Sequence, residues 1–514
     1  MSTIRGSVSA LLLSVLLFAR PAVAQRALLP LDDNAYTYIV ALQSRGMLRE
    51  LPIVERLYTV GAVRGATRAA REKLGGAGTQ RWLNAIDAAV DKYAPGVTDG
   101  DSGVFTASVA GNVVAQSSGT RDLMQSDRVN TLAPGFAVRA LLVAGPFTGA
   151  TRVLADRRMR VDPEFLGRKD RALSARTEEG YVGAWSRFAS AQAGRMGRSW
   201  ALPGQLGLMV SNGAYTYDHL YLKLGTDKLH LSSIVARLDD ERLNFTTDTT
   251  AQRYFSAHRL AMSIGRLEAG ISESVIYGGI ARGFQPALAS PVSPVFLTQY
   301  SDGDPINVAF GADALWRARN GVMVGGQIFA DDFQVDRCEL CGEPPGIALA
   351  VIAEGVPLAG GARAVLSYTR VNSLTYRAPD RFERYTNRTV GLGQRNSDFD
   401  EVRAGVDVGP VLPAPLRLYV AFRRQGAGDY REPYPAITQR NTWPTIFEGV
   451  VVKTFRLAAS GAMRIGSQIE LAADGGVNRS SNDLRVPGAT KTRFEGRVRV
   501  ALEPPRARVR TSLF

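Results

Sequence analysis

The chain has 514 residues, of which 45% are hydrophobic, and its mean hydropathy is −0.07. These values exclude a disordered chain and a bundle of apolar membrane helices. The formal charge is +14, from 62 Lys and Arg residues against 48 Asp and Glu residues. Because the arginines are scattered and form no basic run, we do not expect nucleic acid to be a partner.

The first residues, 1–24, have the pattern of a secretory signal peptide. Arg5 supplies a positive start, residues 10–19 form a short apolar run, and a small-x-small cleavage site ends at Ala24. A membrane anchor is the alternative, but the apolar run is shorter than a spanning helix requires. We expect cleavage before Gln25 and a mature protein that is secreted, periplasmic or embedded in the outer membrane.

Residues 25–100 are predicted to form a periplasmic helical domain. Apolar residues recur at helical spacing over 35–51, 60–74 and 80–93, and Pro95 follows the last of these stretches. No residues in this domain have a spacing typical of a catalytic site. We therefore expect the helices to pack on one another.

After residue 100 the hydrophobic pattern changes to period two, in segments long enough to cross a bilayer when tilted. In the segment 415–424, Leu418, Val420 and Phe422 alternate with polar neighbours such as Arg417 and Arg423. A soluble β-sandwich gives the same alternation. The connections favour a membrane barrel, because short turns and long loops alternate along the chain.

We therefore predict an all-β transmembrane barrel of about 18 antiparallel strands over residues 101–502, in the bacterial outer membrane, with the helical domain in the periplasm. Residues 503–514 are expected to be a C-terminal tail or a strand extension. The predicted strands are 103–116, 135–145, 148–158, 177–185, 188–196, 217–225, 228–238, 256–264, 267–277, 306–317, 321–331, 346–354, 361–371, 400–409, 415–424, 446–457, 462–473 and 491–502.

A succession of short motifs, in a fixed order along the chain, resembles a known family. The motifs lie at residues 194–200, 217–220, 237–240, 253–260, 271–279, 299–300 and 331–334. They resemble the Wzi-type capsule assembly proteins, most strongly over residues 180–335. The resemblance implies an outer-membrane barrel with a periplasmic helical bundle that acts as a lectin and holds capsular polysaccharide on the cell surface. No sugar-contacting residue of the family can be matched to this chain.

Arginines and aromatic rings are the candidate ligand-binding residues. Arginine forks suit the carboxylates, sulfates or phosphates of acidic sugars, and aromatic rings suit saccharide faces. Alternatively, the arginines pair with acids inside the barrel, and the rings form girdles or pack within loops. The candidate arginines are Arg317, Arg363, Arg403, Arg417, Arg423, Arg497 and Arg499. The candidate rings are Trp200, Tyr215, Tyr217, Tyr385, Tyr430, Tyr434 and Trp443.

The predicted function is an outer-membrane lectin that binds capsular or exopolysaccharide and attaches it to the cell surface. Outer-membrane lipids and other capsule export components are the further expected partners. The alternatives are a porin or sugar-uptake channel, and a barrel hydrolase. The hydrolase is disfavoured because Asp218 and His219 are strand neighbours on opposite faces, while Ser256 and His258 project side by side. We expect no enzymatic activity and no cofactor.

The two cysteines, Cys338 and Cys341, form a C-x-x-C motif. In an oxidising compartment this spacing favours a disulfide across a short loop. A zinc site would need further ligands nearby, and the sequence offers none.

Three groups of acidic residues, and the single residue Glu273, carry separate expectations. The pairs at 239–240 and 331–332, and the acids at 302 and 304, are ligand types for calcium, but we expect solvated loop ends. Glu273 shares the lipid-facing phase with Ile271 and Val275. A carboxylate facing lipid is costly, so either a bulge turns Glu273 inward or the residue lies near the outer rim, and of these two we predict the bulge.

Overall fold

The computed structural model describes residues 26–73, 77–93, 103–244, 248–297, 306–331, 346–440, 442–503 and 507–511. The predicted signal peptide, residues 1–24, lies outside the described residues. Cys338 and Cys341 of the predicted disulfide lie outside them as well, as do the acids at 302, 304 and 332.

Within these segments, eighteen strands form a closed antiparallel barrel, which confirms the predicted fold class. The first strand pairs with the second on one side and with the last on the other, so the sheet closes on itself. The strands are β1 Gly103–Gln116, β2 Thr131–Ala144, β3 Phe147–Asp156, β4 Ser174–Trp185, β5 Ala189–Met196, β6 Tyr217–Gly225, β7 Leu229–Arg237, β8 Thr249–Ile264, β9 Leu267–Gly279, β10 Ile306–Arg317, β11 Met323–Asp331, β12 Gly346–Pro357, β13 Arg363–Val371, β14 Phe399–Asp407, β15 Leu416–Gln425, β16 Val452–Ile465, β17 Ile469–Ser481 and β18 Thr490–Leu502.

The outer wall of the barrel is apolar. In β15, Leu418, Val420 and Phe422 are exposed, whereas Tyr419 and Ala421 between them are buried inside the barrel. The same alternation runs through the other strands and produces a belt of exposed apolar side chains around a closed sheet. Such a belt is stable only against lipid, so the protein lies in the outer membrane.

The two ends of the barrel differ in their connections, as predicted. The tight turns at one end span residues 145–146, 186–188, 226–228, 265–266, 318–322, 358–362, 408–415 and 466–468. Most connections at the other end are much longer, for example 197–216 and 372–398. Short turns face the periplasm and long loops face outward in barrels of this class, which sets the orientation.

The predicted hairpin near residue 460 is wrong in position. The alternation predicts a turn at 457–461. Instead, β16 continues to Ile465 and β17 begins at Ile469, and these two residues pair with each other. Gly461 lies within β16 opposite Leu416, and Gly466, with φ +61°, makes the turn instead. A glycine inside a strand therefore imitated the turn signal.

Two short strands extend the barrel sheet. Glu241–Asn244 pairs with the start of β8 and lengthens that strand pair beyond the outer end of the barrel. Ala507–Thr511 pairs with residues 103–107 of β1, while β18 pairs with residues 111–116 of the same strand. The segment after β18 thus continues the last strand along β1.

Three helices precede the barrel in the described ranges 26–73 and 77–93. They are α1 Ala35–Gln43, α2 Val60–Glu72 and α3 Ala77–Val90. Thr59 caps α2, because its side-chain oxygen accepts a hydrogen bond from the backbone N–H of Ala62 at 3.2 Å. The helices pack on one another around Trp82, Leu42 and Ile39, which are fully buried. The predicted first helix is too long, because α1 ends at Gln43 rather than near residue 51.

The described residues before the barrel, 26–73 and 77–93, here the helical segment, are docked on the end of the barrel that has the short turns. Arg49 donates to the carbonyl of Arg319 at 2.6 Å, and Trp82 Nε1 donates to the carbonyl of Leu412 at 3.2 Å. Both acceptors belong to periplasmic turns. Among the described residues, no helix has the length and apolar character to cross a membrane.

Part of the lumen is filled by protein. Residues 197–216, here the inner strap, run from the outer end into the barrel, where Ser199–Trp200 pairs with Glu55–Arg56 of the helical segment. The loop 372–398 also folds inward, and Tyr376 Oη donates to the carbonyl of Leu208 at 2.6 Å. Together with the inner faces of β6 to β14 they form a buried apolar core.

Another outer loop lies against the outside of the barrel. Residues 280–297, here the outer arm, cover Val275 and Val308 of the outer wall. Glu273 accepts hydrogen bonds from the backbone N–H groups of Val295 and Phe296 at 3.1 and 2.8 Å. The predicted bulge is wrong, because β9 pairs in unbroken register with both neighbours. The arm, rather than a bulge, satisfies this carboxylate.

Candidate ligand-binding site

The inner strap is tied to the barrel wall through Glu55 of the helical segment. The Glu55 carboxylate accepts hydrogen bonds from Tyr221 Oη at 2.5 Å and Ser232 Oγ at 2.7 Å, and pairs with His230 Nε2 at 2.7 Å. Burial alone would raise the pKa of Glu55, but the hydrogen bond and charge of His230 hold it well below its ordinary value. The ionised carboxylate therefore anchors the segment inside the lumen.

The polar half of the lumen contains a cavity of about 570 Å³, here the central cavity. Asp32 and Asn34 of the helical segment contribute to its lining, as do residues 119–124 and 211–217 from the outer loops. Nine arginines and six carboxylates line it. The arginines are Arg121, Arg152, Arg158, Arg176, Arg198, Arg403, Arg456, Arg497 and Arg499.

All six carboxylates of the central cavity are paired with arginines. Arg152 forms a fork on Asp32, with both hydrogen bonds at 2.8 Å. The pairs are Arg152 with Asp32 and Glu179, Arg176 with Glu178, Arg121 with Asp162, Arg423 with Asp122, and Arg456 with Asp474. The acids are therefore already neutralised by the protein.

Three arginines of the central cavity have no carboxylate within 4 Å among the described residues: Arg198, Arg497 and Arg499. Arg497 donates to two neutral oxygens of the described chain, the Gln116 side chain at 3.0 Å and the Thr120 carbonyl at 2.9 Å. The cavity thus carries positive charge that the described chain does not balance. Positive charge in a secluded polar cavity attracts anions.

Residues 117–130, here the partition loop, separate the central cavity from a second, outer one. Asp122 of this loop accepts a hydrogen bond from Arg423, and Met124 packs against Tyr419 and Ala421. Burial would raise the pKa of Asp122, but the charge of Arg423 and its hydrogen bond lower it below the ordinary value. The loop is therefore held by an ion pair and by apolar contact.

The second cavity, here the outer pocket, lies among the long loops and has a volume of about 300 Å³. Six basic and three acidic side chains line it. The basic residues are Arg128, Arg423, Arg431, Arg485, Lys491 and Arg493, and the acidic ones are Asp429, Asp483 and Glu495. The outer pocket is therefore a basic depression at the cell-exterior end of the barrel.

The basic residues of the outer pocket differ in how they are neutralised. Arg128 pairs with Asp483 and Arg431 pairs with Asp429, both at 2.5 Å. Among the described residues, neither Lys491 nor Arg493 has a carboxylate within 4 Å. Arg485 donates to a backbone carbonyl, that of Gly426, at 3.0 Å. These three cations remain available to an acidic ligand.

The structure distributes the predicted arginines among different environments. Arg403, Arg497 and Arg499 reach the central cavity, and Arg423 reaches the outer pocket. Three others line neither the central cavity nor the outer pocket, and their role in ligand binding stays a prediction. Arg317 donates to the Arg49 carbonyl at 3.2 Å, Arg363 donates to the Gly355 carbonyl at 3.1 Å, and Arg417 is bound by Asp407 and Glu354.

Most predicted aromatic platforms are packed inside the protein. Trp200 and Tyr430 are at least 97% buried, which leaves little of either ring face exposed, although Tyr430 borders the outer pocket. Tyr217 is buried but borders the central cavity. Tyr215 and Tyr385 are also buried. Tyr434 and Trp443 are half-buried, and Trp443 Nε1 donates to Glu448 at 2.8 Å.

The histidines and acid pairs serve structural contacts. Nε2 of His219 accepts a hydrogen bond from Arg198 at 3.2 Å, and Nδ1 of His258 lies 3.1 Å from Ser233 Oγ. Asp239 accepts from the backbone N–H of Arg388 at 2.8 Å. The described residues contain no cluster of three or more metal-ligating side chains.

Sequence reasoning missed the cations that matter most in the outer pocket. Arg493 shares the inward phase of β18 with Arg497 and Arg499, so extending the alternation by two positions would have identified it. Arg198 lies within the motif 194–200 but was not singled out. Lys491 has the same phase one step earlier in β18, so the same alternation indicates it as well.

Comparisons with known proteins bear on the fold. No protein-family model matches the chain, and no curated protein matches it. Among solved structures, Wzi from Escherichia coli is 11% identical, with 95% of this chain and 100% of Wzi covered and a TM-score of 0.60. The fold is that of Wzi. The predicted resemblance is thus confirmed at the level of the fold.

Wzi is an outer membrane protein involved in group 1 capsule assembly and a carbohydrate-binding β-barrel. Two porin-like barrels from Pseudomonas aeruginosa also match. OccD3 and OprD are each 10% identical, with 80% and 79% of this chain and 92% and 95% of theirs covered, and TM-scores of 0.44 and 0.45. At such identities no residue role is transferred from Wzi to this chain.

Proposed function

We propose that this protein is an outer-membrane lectin that binds an acidic capsular or exopolysaccharide at the outer pocket and attaches it to the cell surface. The observation that carries the proposal is the excess of cations in that pocket, where Lys491, Arg493 and Arg485 have no carboxylate partner in the part of the chain that the structure describes. Guanidinium and ammonium groups recognise the carboxylates, sulfates and phosphates of acidic sugars.

The filled lumen supports binding over uptake. The inner strap, the loop 372–398 and the helical segment occupy the interior of the barrel, which an uptake channel would need open. Wzi, which has the same fold, is a carbohydrate-binding barrel. A binding protein needs only the outer pocket and a stable support beneath it.

The proposal includes no chemical step. Ser256 and His258, the nearest candidates for a nucleophile and base, do not contact each other, because His258 Nδ1 is directed to Ser233. The periplasmic helical segment is the surface on which other capsule export components would meet the barrel. We propose these components as partners without assigning residues to them.

The test compares binding of polygalacturonate with binding of neutral dextran by the purified barrel in nanodiscs. We expect saturable binding of the acidic polymer, lost progressively with added salt because screening weakens charge contacts. The double variant Lys491→Gln/Arg493→Gln should weaken binding about tenfold or more. The matched control, Lys228→Gln/Arg266→Gln, removes the same charge from periplasmic turns and should bind normally.

Two outcomes would contradict the proposal. One is equal binding of dextran and polygalacturonate, and the other is an equal effect of the two double variants. Steady, large conductance of the unmodified barrel in a planar bilayer would instead favour the porin alternative.

A further inference from the structure

The central cavity carries unpaired positive charge of its own, on residues that do not line the outer pocket. Arg497 and Arg499 lie two residues apart on the inner face of β18, and neither has a carboxylate within 4 Å in the described part of the chain. Arg497 also lies within electrostatic range of Arg121, Arg158 and Arg395, with the carboxylate of Asp162 as a partial counter-charge. Crowding of like charges in a secluded cavity is unfavourable unless an anion offsets it.

A second observation points to the same place. Arg152 lines the cavity and is 95% buried, yet its Nε has no hydrogen-bond partner among the described residues. A buried guanidinium N–H without an acceptor is costly, and an acceptor bound beside it would remove that cost. The volume, about 570 Å³, lies within the range of small-molecule sites.

The remainder of the lining suits hydroxyl groups. Asn34, Gln116, Ser211 and Thr216 offer neutral donors and acceptors, and the paired acids can accept further hydrogen bonds. A ligand that combines one carboxylate with several hydroxyls matches this mixture better than a bare inorganic anion. The partition loop covers the cavity, which favours a ligand of one or two sugar units over a long polymer.

We propose that the central cavity is a separate binding site for a small acidic saccharide, a free uronate, whose carboxylate is held by Arg497 and Arg499. The outer pocket plays no part in this site, so the inference does not depend on polysaccharide binding there. Arg152 Nε–H then donates to the ring oxygen of the sugar. The neutral polar side chains exchange hydrogen bonds with its hydroxyl groups.

The test measures thermal unfolding and affinity of the purified barrel with galacturonate, galactose, methyl galacturonate and acetate. Galacturonate should stabilise the barrel and bind at least tenfold more tightly than the three other probes, because only it combines the charge with the hydroxyls. Equal binding of galactose or of the uncharged methyl ester would overturn the role of the carboxylate. Equal binding of acetate would overturn the saccharide assignment.

The variant Arg497→Gln/Arg499→Gln should lose at least tenfold in galacturonate affinity and keep its affinity for polygalacturonate. The matched control, Lys491→Gln/Arg493→Gln, lies on the same face of the same strand. It should keep its affinity for galacturonate and lose affinity for polygalacturonate. If the first variant does not fold, Arg499→Lys preserves the charge but loses the fork, and should weaken binding less than Arg499→Gln. Galacturonate affinity unchanged in these arginine variants would overturn the proposal, whatever the result at the outer pocket.

Discussion

Arg417 of β15 and Asp407 of β14 face each other on the inner wall and share two hydrogen bonds of 2.6 and 2.8 Å. The same guanidinium donates to Glu354 at 2.7 Å, and that glutamate is fully buried. An arginine that the sequence presents as a ligand contact is therefore a structural bridge between three strands.

Replacement of Arg417 by Gln should destabilise the barrel. It leaves Glu354 buried without its cation, and breaking a buried pair from one side costs about 3–5 kcal/mol. Denaturant unfolding followed by tryptophan fluorescence measures this loss. Arg493→Gln, which removes a cation without a carboxylate partner, should change stability by less than about 0.5 kcal/mol. Equal stability of the two variants would refute the assignment.

Loss of Glu268 should loosen the helical segment. This carboxylate accepts the backbone N–H groups of Ile53 and Val54, each at 2.9 Å, and removing it leaves two buried donors unsatisfied. We expect Glu268→Ala to show intermittent channel openings in a planar bilayer where the parent is silent. Glu50→Ala, at an exposed residue whose ion pair with Lys73 is 3.9 Å long, is the control and should remain silent. If the Glu268→Ala variant shows no channel openings, contacts other than those of Glu268 hold the helical segment in place.

Acid should release the segment around Glu55. Its pKa is depressed in the folded protein, so its stabilisation is complete above the ordinary value of 4.5 and is lost as pH falls below 4.5 toward the folded value. Hydrogen exchange of residues 52–58, corrected for intrinsic rates, should show protection at pH 6 that declines below pH 4.5. Glu55→Gln should show weaker protection at pH 6 and little further decline in acid. An identical pH profile for the variant would assign the effect to another group.

Detachment of the outer arm should follow the loss of Glu273. The arm offers its backbone N–H groups to this carboxylate, and Glu273→Ala removes both acceptor oxygens. We expect trypsin to cut after Arg282 several-fold faster in this variant. Glu273→Gln keeps an acceptor and should lie between the variant and the parent. Unchanged cleavage would mean that apolar contacts with Val275 and Val308 hold the arm alone.

The C-x-x-C motif supplies a prediction that rests on the sequence. Cys338 and Cys341 should be joined in the mature protein, so a thiol reagent should label them only after reduction. Binding should survive their replacement by Ser, because the closed loop is short and its constraint is small. Full labelling without reduction would show that the cysteines are free.

The parts of the fold that the sequence predicts are those set by local alternation. The exposed row Leu418, Val420 and Phe422 follows from period two alone, whereas the partners of Arg417 depend on strand register that no local pattern contains. Trp200 lies in the loop that connects β5 to β6, yet its ring is buried inside the barrel. The apolar residues 206–210 in that loop were an available sign that the strap turns into the lumen.

Lys92 follows α3, and its buried amine contacts acids from the far end of the chain. It pairs with Glu470 near the start of β17 and lies 3.3 Å from Glu503, directly after β18, as well as 3.5 Å from Asp33. A buried ammonium is costly until its counter-charges are in place. Burial of Lys92 thus couples the docking of the N-terminal helices to the last hairpin of the barrel, because Glu470 and Glu503 supply counter-charges for its amine.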